Sequence, residues 1–310
     1  MNSELIRGVL KDDVAYTVLT PAGWTATERL PLILLLHGAN SSSEFLAALQ
    51  PLIDGLWADG ALPRSVVACA STPTVGGFYL GEWEDLVATD FPALLAAEFG
   101  IDERRMSLIG SSMGGYGALK IAFADPGRWQ AVAAIAPALL PVPLRARNTI
   151  GVLAELAAAT ADPSARVLDR LHANADAIRA SGLPIFLRVG DRDVFKLQDG
   201  TEELHRALWD LDIGHEYHLV LDGDHLGPEA MAAQRAALIF LGSARAEKTA
   251  ADLSLEAAWL RWAAEGRQGA PPQLDIAGAS ASVALRVLLE PELTEAARQD
   301  PTAARRYGIL

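Results

Sequence analysis

Cys69 is the only cysteine in 310 residues, so no intrachain disulfide can form and no thiolate cluster can hold zinc. It sits in the apolar run SVVACAS, where a buried strand thiol is the expected state. Basic residues are also few: 26 Lys and Arg stand against 39 Asp and Glu, a net charge of −13. Nucleic acid and anionic membrane surfaces are captured by basic patches, and none is visible, so neither is expected as a partner. No apolar run reaches membrane-spanning length, and the N-terminus MNSELIRGVLKDD lacks the apolar stretch and small-residue cleavage site of a secretory signal. A cytoplasmic protein is expected. No HExxH or comparable His/carboxylate cluster occurs, which argues against a metallohydrolase.

What is present is a globular composition, 51% hydrophobic and 21% charged without a block of like charge, enough to build a core. Short β-type runs alternate with longer stretches of helical period, a pattern that predicts an α/β fold with a mainly parallel sheet and helices on both faces. The predicted strands are VAYTVLT, LPLILLLHG, SVVACAS, RMSLIGS, WQAVAAIA, LPIFLRVG and HEYHLVLDG. Several are apolar without alternation, as strands buried on both faces are. The predicted helices lie in SSEFLAALQPLIDGLWADG, WEDLVATDFPALLAAEFG, GGYGALKIAFADP, DGTEELHRALWDLD and GPEAMAAQRAALIFLGSA.

From 141 to 182 the alternation pauses for an Ala-rich helical stretch, read as a small cap over the strand ends. The main domain is thus expected over 1–243. Residues 244–310 form an extension of unassigned role. Its Leu255, Trp259, Leu260 and Trp262 suggest a docked amphipathic helix and a candidate contact for a homo-oligomer. The later ASVALRVLLE reads equally as strand or helix.

The strongest local signal is RMSLIGSSMGGYGAL, in which Gly110, Ser112 and Gly114 form G-x-S-x-G between a predicted strand and a predicted helix. So tight a turn needs small residues around the serine, whose hydroxyl then projects at a helix N-terminus that favours developing negative charge. A Ser/Gly-rich cap without chemistry is the alternative. A serine hydroxyl is a weak nucleophile and needs a histidine to take its proton and an acid to orient the histidine. In sites of this kind the chain order is nucleophile, acid, base. Downstream of Ser112, one strand runs into Gly190-Asp191-Arg192-Asp193 and another into Gly223-Asp224-His225. Both follow strand C-terminal ends, where open parallel sheets place ligands.

The other histidines fit the base less well. His172 and His205 lie in helices with polar neighbours and are expected to be solvated; His215 and His218 belong to the entrance and interior of a strand. His37 precedes the nucleophile, and a structural role in bonding loop backbone is expected. In the same LLLHGAN turn, the N–H of Ala39 can point toward the N–H of Met113 to form an oxyanion hole. The loop TPTVGGFYLGEWED offers Phe78, Tyr79 and Trp83 as one apolar wall of a substrate cleft. Packing of these rings onto the body is the alternative.

GSSMGGYGALKIAFADPGRWQAVAAIAPAL resembles the elbow region of the putative-esterase family, which includes esterase D (S-formylglutathione hydrolase), feruloyl esterases and bacterial mycolyltransferases. The likeness spans roughly residues 10–243, with LLLHGAN, EWEDLVATDFPALLAAEFGID, GDRD and GDH in the same order. It implies the α/β-hydrolase fold, a cofactor-free esterase acting on a small-molecule ester, and Ser112, Asp193 and His225 as nucleophile, acid and base. Local geometry agrees on the acid. Asp224 is adjacent to His225, and neighbouring side chains on an extended segment point apart; Asp191 follows Gly190 directly, where an Asp commonly shapes a turn. S-formylglutathione hydrolases typically show GHSMGGHGAL, whereas this chain has Ser111 and Tyr116 at those places, closer to the feruloyl and general carboxylesterase branch. Two other readings stay open: an acyltransferase using the same triad, and a ligand-binding receptor of low turnover on the same fold.

Overall fold

The most apolar strands lie at the centre. β3 (Leu32–Leu36), β4 (Val66–Ala70) and β5 (Met106–Ser111) are buried along nearly their whole length. This computed structural model describes residues 3–73, 77–144, 146–148 and 152–244, together with most of 255–273. With β1 (Glu4–Val9), β2 (Ala15–Thr20), β6 (Trp129–Ile135), β7 (Ile185–Gly190) and β8 (Glu216–Val220), the central strands form one sheet of order β1-β2-β4-β3-β5-β6-β7-β8. Strands β3 to β8 pair in parallel.

The sheet is mainly parallel, as expected, with one strand that the sequence did not announce. The six residues ELIRGV form β1, a strand absent from the prediction, and both β1–β2 and β2–β4 pair antiparallel. β1 is a half-exposed edge strand whose short link to β2 permits only an antiparallel return.

Alternation along β3 divides the core into two layers. Leu32, Leu34 and Leu36 face one cluster, completed by Phe91 and Leu95 of α3 (Phe91–Phe99), Leu119 of α4 (Met113–Ala124), Leu171 of α6 (Val167–Ser181) and Leu204 of α7 (Gln198–Asp210). Ile33 and Leu35 face the other, with Leu46 and Ile53 of α1 (Phe45–Ala58) and Leu238 of α8 (Pro228–Ser243). Successive side chains of a strand point to opposite faces, so an all-Leu/Ile strand needs helices on both sides. Each fully buried Leu or Ile contributes roughly 1.5–3 kcal/mol. Cys69 lies in β4, fully buried, and burial pushes its thiol well above the usual range.

The predicted cap is smaller than 141–182. Its C-terminal part is α6, which packs against α4 and serves as the ordinary crossover from β6 to β7. Among the described residues, α5 (Val152–Ala159) and the short 3₁₀ turns Ala146–Asn148 and Pro163–Ala165 are additional. The expected helix over WEDLVATDFPALLAAEFG appears as α2 (Glu82–Asp85) and α3 joined by a π-helical turn, Leu86–Asp90. Among the described residues no helix is long and apolar enough to cross a membrane.

The chain divides into two compact units, 1–245 and 246–310. Within the second, Trp259 is buried with Leu255, Trp262 and Ala263 packed against it, and its ring meets that of Trp262 edge-on at 5.7 Å. Its indole N–H donates to Gln273 O at 3.2 Å. Leu260 and the segment ASVALRVLLE lie outside the described residues.

Candidate active site

β5 ends at Ser111 and α4 begins at Met113, so Ser112 alone turns the chain. Its φ of 56° and ψ of −119° fall where non-glycine residues rarely sit, at about 1–3 kcal/mol of strain. Hydrogen bonds on both sides hold it: Ser112 N–H donates to Ile135 O at 2.9 Å, and Ser112 O accepts from Tyr116 N–H at 3.0 Å and Ala138 N–H at 2.9 Å. The motif glycines are sterically required. A Cβ on Gly110 would lie 2.2 Å from Gly114 O, and one on Gly114 would lie 1.9 Å from Leu36 O.

The sheet register sets what faces the elbow. Leu36 pairs with Gly110, which brings the His37-Gly38-Ala39 turn alongside Ser111 and Ser112, and the Gly38 backbone approaches Ser112 closely enough that a Cβ there would lie 3.7 Å from Ser112 Cβ. Ala39 lines the same cavity as Ser112. Met113 occupies the first turn of α4, where an N–H has no acceptor within the helix.

His37 is buried and belongs to the scaffold. Thr72 N–H donates to its Nε2 at 3.0 Å, and its Nδ1 lies 2.8 Å from Gly38 O, so the ring carries its proton on Nδ1. Burial pulls its pKa below the ordinary value, which keeps it neutral.

On the other side of β5, Gly190 of β7 pairs with Val220 of β8. The two loops beyond them are stitched by Asp191 N–H to Val220 O at 3.0 Å and Arg192 N–H to Gly223 O at 2.9 Å. His225 Nδ1 then lies 2.7 Å from Asp193 Oδ2, with the carboxylate buried. Phe195 N–H donates to the other oxygen of Asp193 at 2.8 Å, and the Phe195 ring meets the imidazole edge-on at 4.8 Å. The Nδ1–H of His225 is thus committed to Asp193, which leaves Nε2 with its lone pair.

Of the other two aspartates, Asp224 is bonded elsewhere. Asp224 Oδ1 accepts from His225 N–H at 2.6 Å and Val194 N–H at 3.0 Å, and these backbone bonds hold its carboxyl below the usual range. Asp191 Oδ1 is buried without a hydrogen-bond partner.

Ser112 and His225 line one cavity of about 400 Å³, with Leu153 of α5, Phe195 and Leu197 on its walls. No hydrogen bond joins Ser112 Oγ to His225 Nε2 among the described residues, a looseness common in such sites before substrate binds. A second cavity of about 380 Å³, lined by Leu139, Leu156 and Tyr116, contains neither residue.

Two expectations need correction. Phe78 and Tyr79 do not wall this cavity: both are buried in the core, at φ values of 37° and 51° that turn the loop inward. Tyr79 O–H donates to His37 O at 2.9 Å, and Phe78 packs edge-on to Tyr116 at 6.0 Å. Trp83 is half-buried against the same core. His205 is not merely solvated. It stacks on Tyr217 at 4.2 Å and bonds to His215 at 2.7 Å, whereas His172 is exposed as expected.

Sequence reasoning also missed two polar links to the elbow. Gln234 of α8, buried, bonds to Ser111 Oγ at 2.5 Å; a Gln within AMAAQRAALIFL, at a position whose helical neighbours are apolar, was the available signal. Lys120 of α4 is buried on Glu84 at 2.6 Å, and Arg170 of α6 grips the same carboxylate and also donates to Lys120 O at 3.0 Å.

Comparison with known proteins fits this arrangement. S-formylglutathione hydrolases of Mus musculus and Bos taurus are each 40% identical to this chain over a stretch covering 22% of it. That stretch spans 28% of those relatives' length. Among solved structures, a ferulic acid esterase superposes with a TM-score of 0.66 at 19% identity, covering 78% of this chain and 99% of that one. An S-formylglutathione hydrolase from Agrobacterium tumefaciens gives 0.61 at 20% identity over 79% and 100%. These structures share the α/β-hydrolase fold, and residues 8–225 match the family model of the putative esterases. The chain belongs to the putative esterase family.

Proposed function

We propose that this protein hydrolyses carboxylic esters through an acyl-enzyme on Ser112. The observation that carries the reading is the buried 2.7 Å bond between Asp193 and His225, made by a histidine that shares its cavity with a serine held on a strained strand-to-helix turn. A relay of this kind has one use for its free Nε2, the removal of a proton from a nearby hydroxyl.

In the proposed reaction Ser112 Oγ attacks the acyl carbon as His225 Nε2 takes its proton. Asp193 stabilises the imidazolium and holds the ring in the required tautomer. The oxygen that becomes negative is received by the N–H groups of Ala39 and Met113, donors fixed by backbone and so needing no reorganisation during the reaction. His225 returns the proton to the leaving alcohol, water attacks the acyl-enzyme with the same base, and Ser112 is restored. The relatives' name extends the proposal to thioesters, for which the same steps apply.

Labelling with a fluorophosphonate probe tests the reading. A single adduct mapped by mass spectrometry to Ser112 is expected; an unlabelled protein lacks an activated serine, and a different labelled residue refutes the assignment.

A further inference from the structure

The cavity that holds Ser112 and His225 contains no Lys or Arg among its described lining residues. Its apolar lining includes Phe45, Ile135, Leu153, Phe195 and Leu197. Besides His225, its polar side chains are uncharged amides and hydroxyls, among them Ser111 and Gln234, which bond to each other. Of the cations on neighbouring segments, Arg188 is paired with Glu229 and Arg192 with Asp222.

The rim continues the same chemistry. Leu226 and Met231 line the cavity yet remain 75% and 45% exposed. Large apolar side chains left open around a concave site mark the surface that a ligand covers. A carboxylate entering such a cavity would lose its water and gain no cation, an unfavourable exchange, and the net charge of −13 adds long-range repulsion.

We infer that, granted the esterase reading above, the substrate is an uncharged ester or thioester whose acyl or alcohol part is apolar, and that anionic substrates are selected against. At about 400 Å³ the cavity is near the small end of ligand pockets and suits a short-to-medium chain.

The test uses the full chain with two sets of substrates. Across p-nitrophenyl acetate, butyrate and hexanoate, kcat/KM should rise about fourfold per added methylene until the cavity fills. Between S-acetyl-N-acetylcysteamine and S-acetylglutathione, which share the acyl group and differ in charge as well as size, the neutral thioester should be preferred by about tenfold or more, with the charge contribution read from the Met231→Lys variant. Met231→Lys, at a half-exposed rim position, should narrow that preference to about threefold or less. Equal or faster turnover of the glutathione thioester, or rates flat across the p-nitrophenyl series, overturns the inference and leaves the esterase reading standing. No turnover of any p-nitrophenyl ester removes the esterase reading itself, and the inference with it.

Discussion

His225 Nδ1 donates to Asp193 Oδ2 at 2.7 Å, whereas the carboxylate of Asp224, the residue directly before His225, turns back to accept the N–H groups of His225 and Val194. Two neighbouring acids on the same pair of loops therefore have separate tasks. Asp193 holds the ring of His225; Asp224 fastens the loop of His225 to the loop of Asp193.

Asp193→Asn should lower turnover of a model ester by ~10²- to 10⁴-fold, because an amide neither fixes the tautomer nor stabilises the imidazolium. Asp191→Asn, whose Oδ1 has no partner to lose, should stay within about threefold of wild type. Parallel kcat measurements on p-nitrophenyl butyrate decide between them. A larger loss in the Asp191 variant at equal folding would transfer the acid's role to that residue.

Tyr79→Ala should act on stability rather than on substrate choice. The ring is fully buried and its hydroxyl satisfies His37 O, so truncation should cost about 3–5 kcal/mol. Relative rates across acyl lengths should stay constant. Denaturant unfolding alongside the chain-length profile checks both halves, and a changed profile at unchanged stability would restore the ring to the substrate cleft.

Gly114→Ala places a methyl group 1.9 Å from the backbone oxygen of Leu36, an atom with no room to retreat within the sheet. A loss of at least about 3 kcal/mol is expected, with the elbow displaced. Near-normal stability and activity would mean that the turn is looser than the sheet register implies.

Glu84 is the acid-sensitive joint of the nucleophile helix. Burial pushes its carboxyl up, but hydrogen bonds from Arg170 and Lys120 outweigh this and hold it below the ordinary 4.5. A carboxyl that ionises lower in the folded chain than in the unfolded one adds stability above about pH 4.5, lost as pH falls through the folded value. Burial meanwhile pulls the Lys120 ammonium down despite Glu84, so the pair is needed mainly because either partner alone would be stranded. Glu84→Gln should cost about 3 kcal/mol at pH 7, the lower end for a broken buried pair because Glu84 retains some solvent contact. The gap to wild type should shrink below pH 4 as the native carboxyl protonates. Unfolding midpoints at both pH values test this, and a gap independent of pH would show that the charge is not responsible.

Legibility in the sequence followed the range of the interaction. Seven strands were visible because apolar runs between turn residues are local, and the elbow was visible because its glycines and serine are contiguous. β1 was hidden because ELIRGV has no apolar face of its own; it is a strand only because Glu4–Val9 pairs with β2. The rings at 78 and 79 announced apolar surface, but their direction depends on positive φ angles that sequence does not reveal. The bonds of Gln234 to Ser111 and of Glu84 to Lys120 and Arg170 join residues 36 to 123 positions apart, and no local pattern marks such pairs. The pairing of Asp193 with His225 was anticipated from the position of Asp193 beyond the strand and from the family resemblance together.

The central claim is that Ser112 is the nucleophile of an acyl-enzyme. Turnover of p-nitrophenyl butyrate by wild type and by Ser112→Ala, with folding verified by circular dichroism, tests it most directly. Removing an activated nucleophile should lower kcat by at least ~10³-fold. Turnover by the alanine variant within about tenfold of wild type would contradict the account.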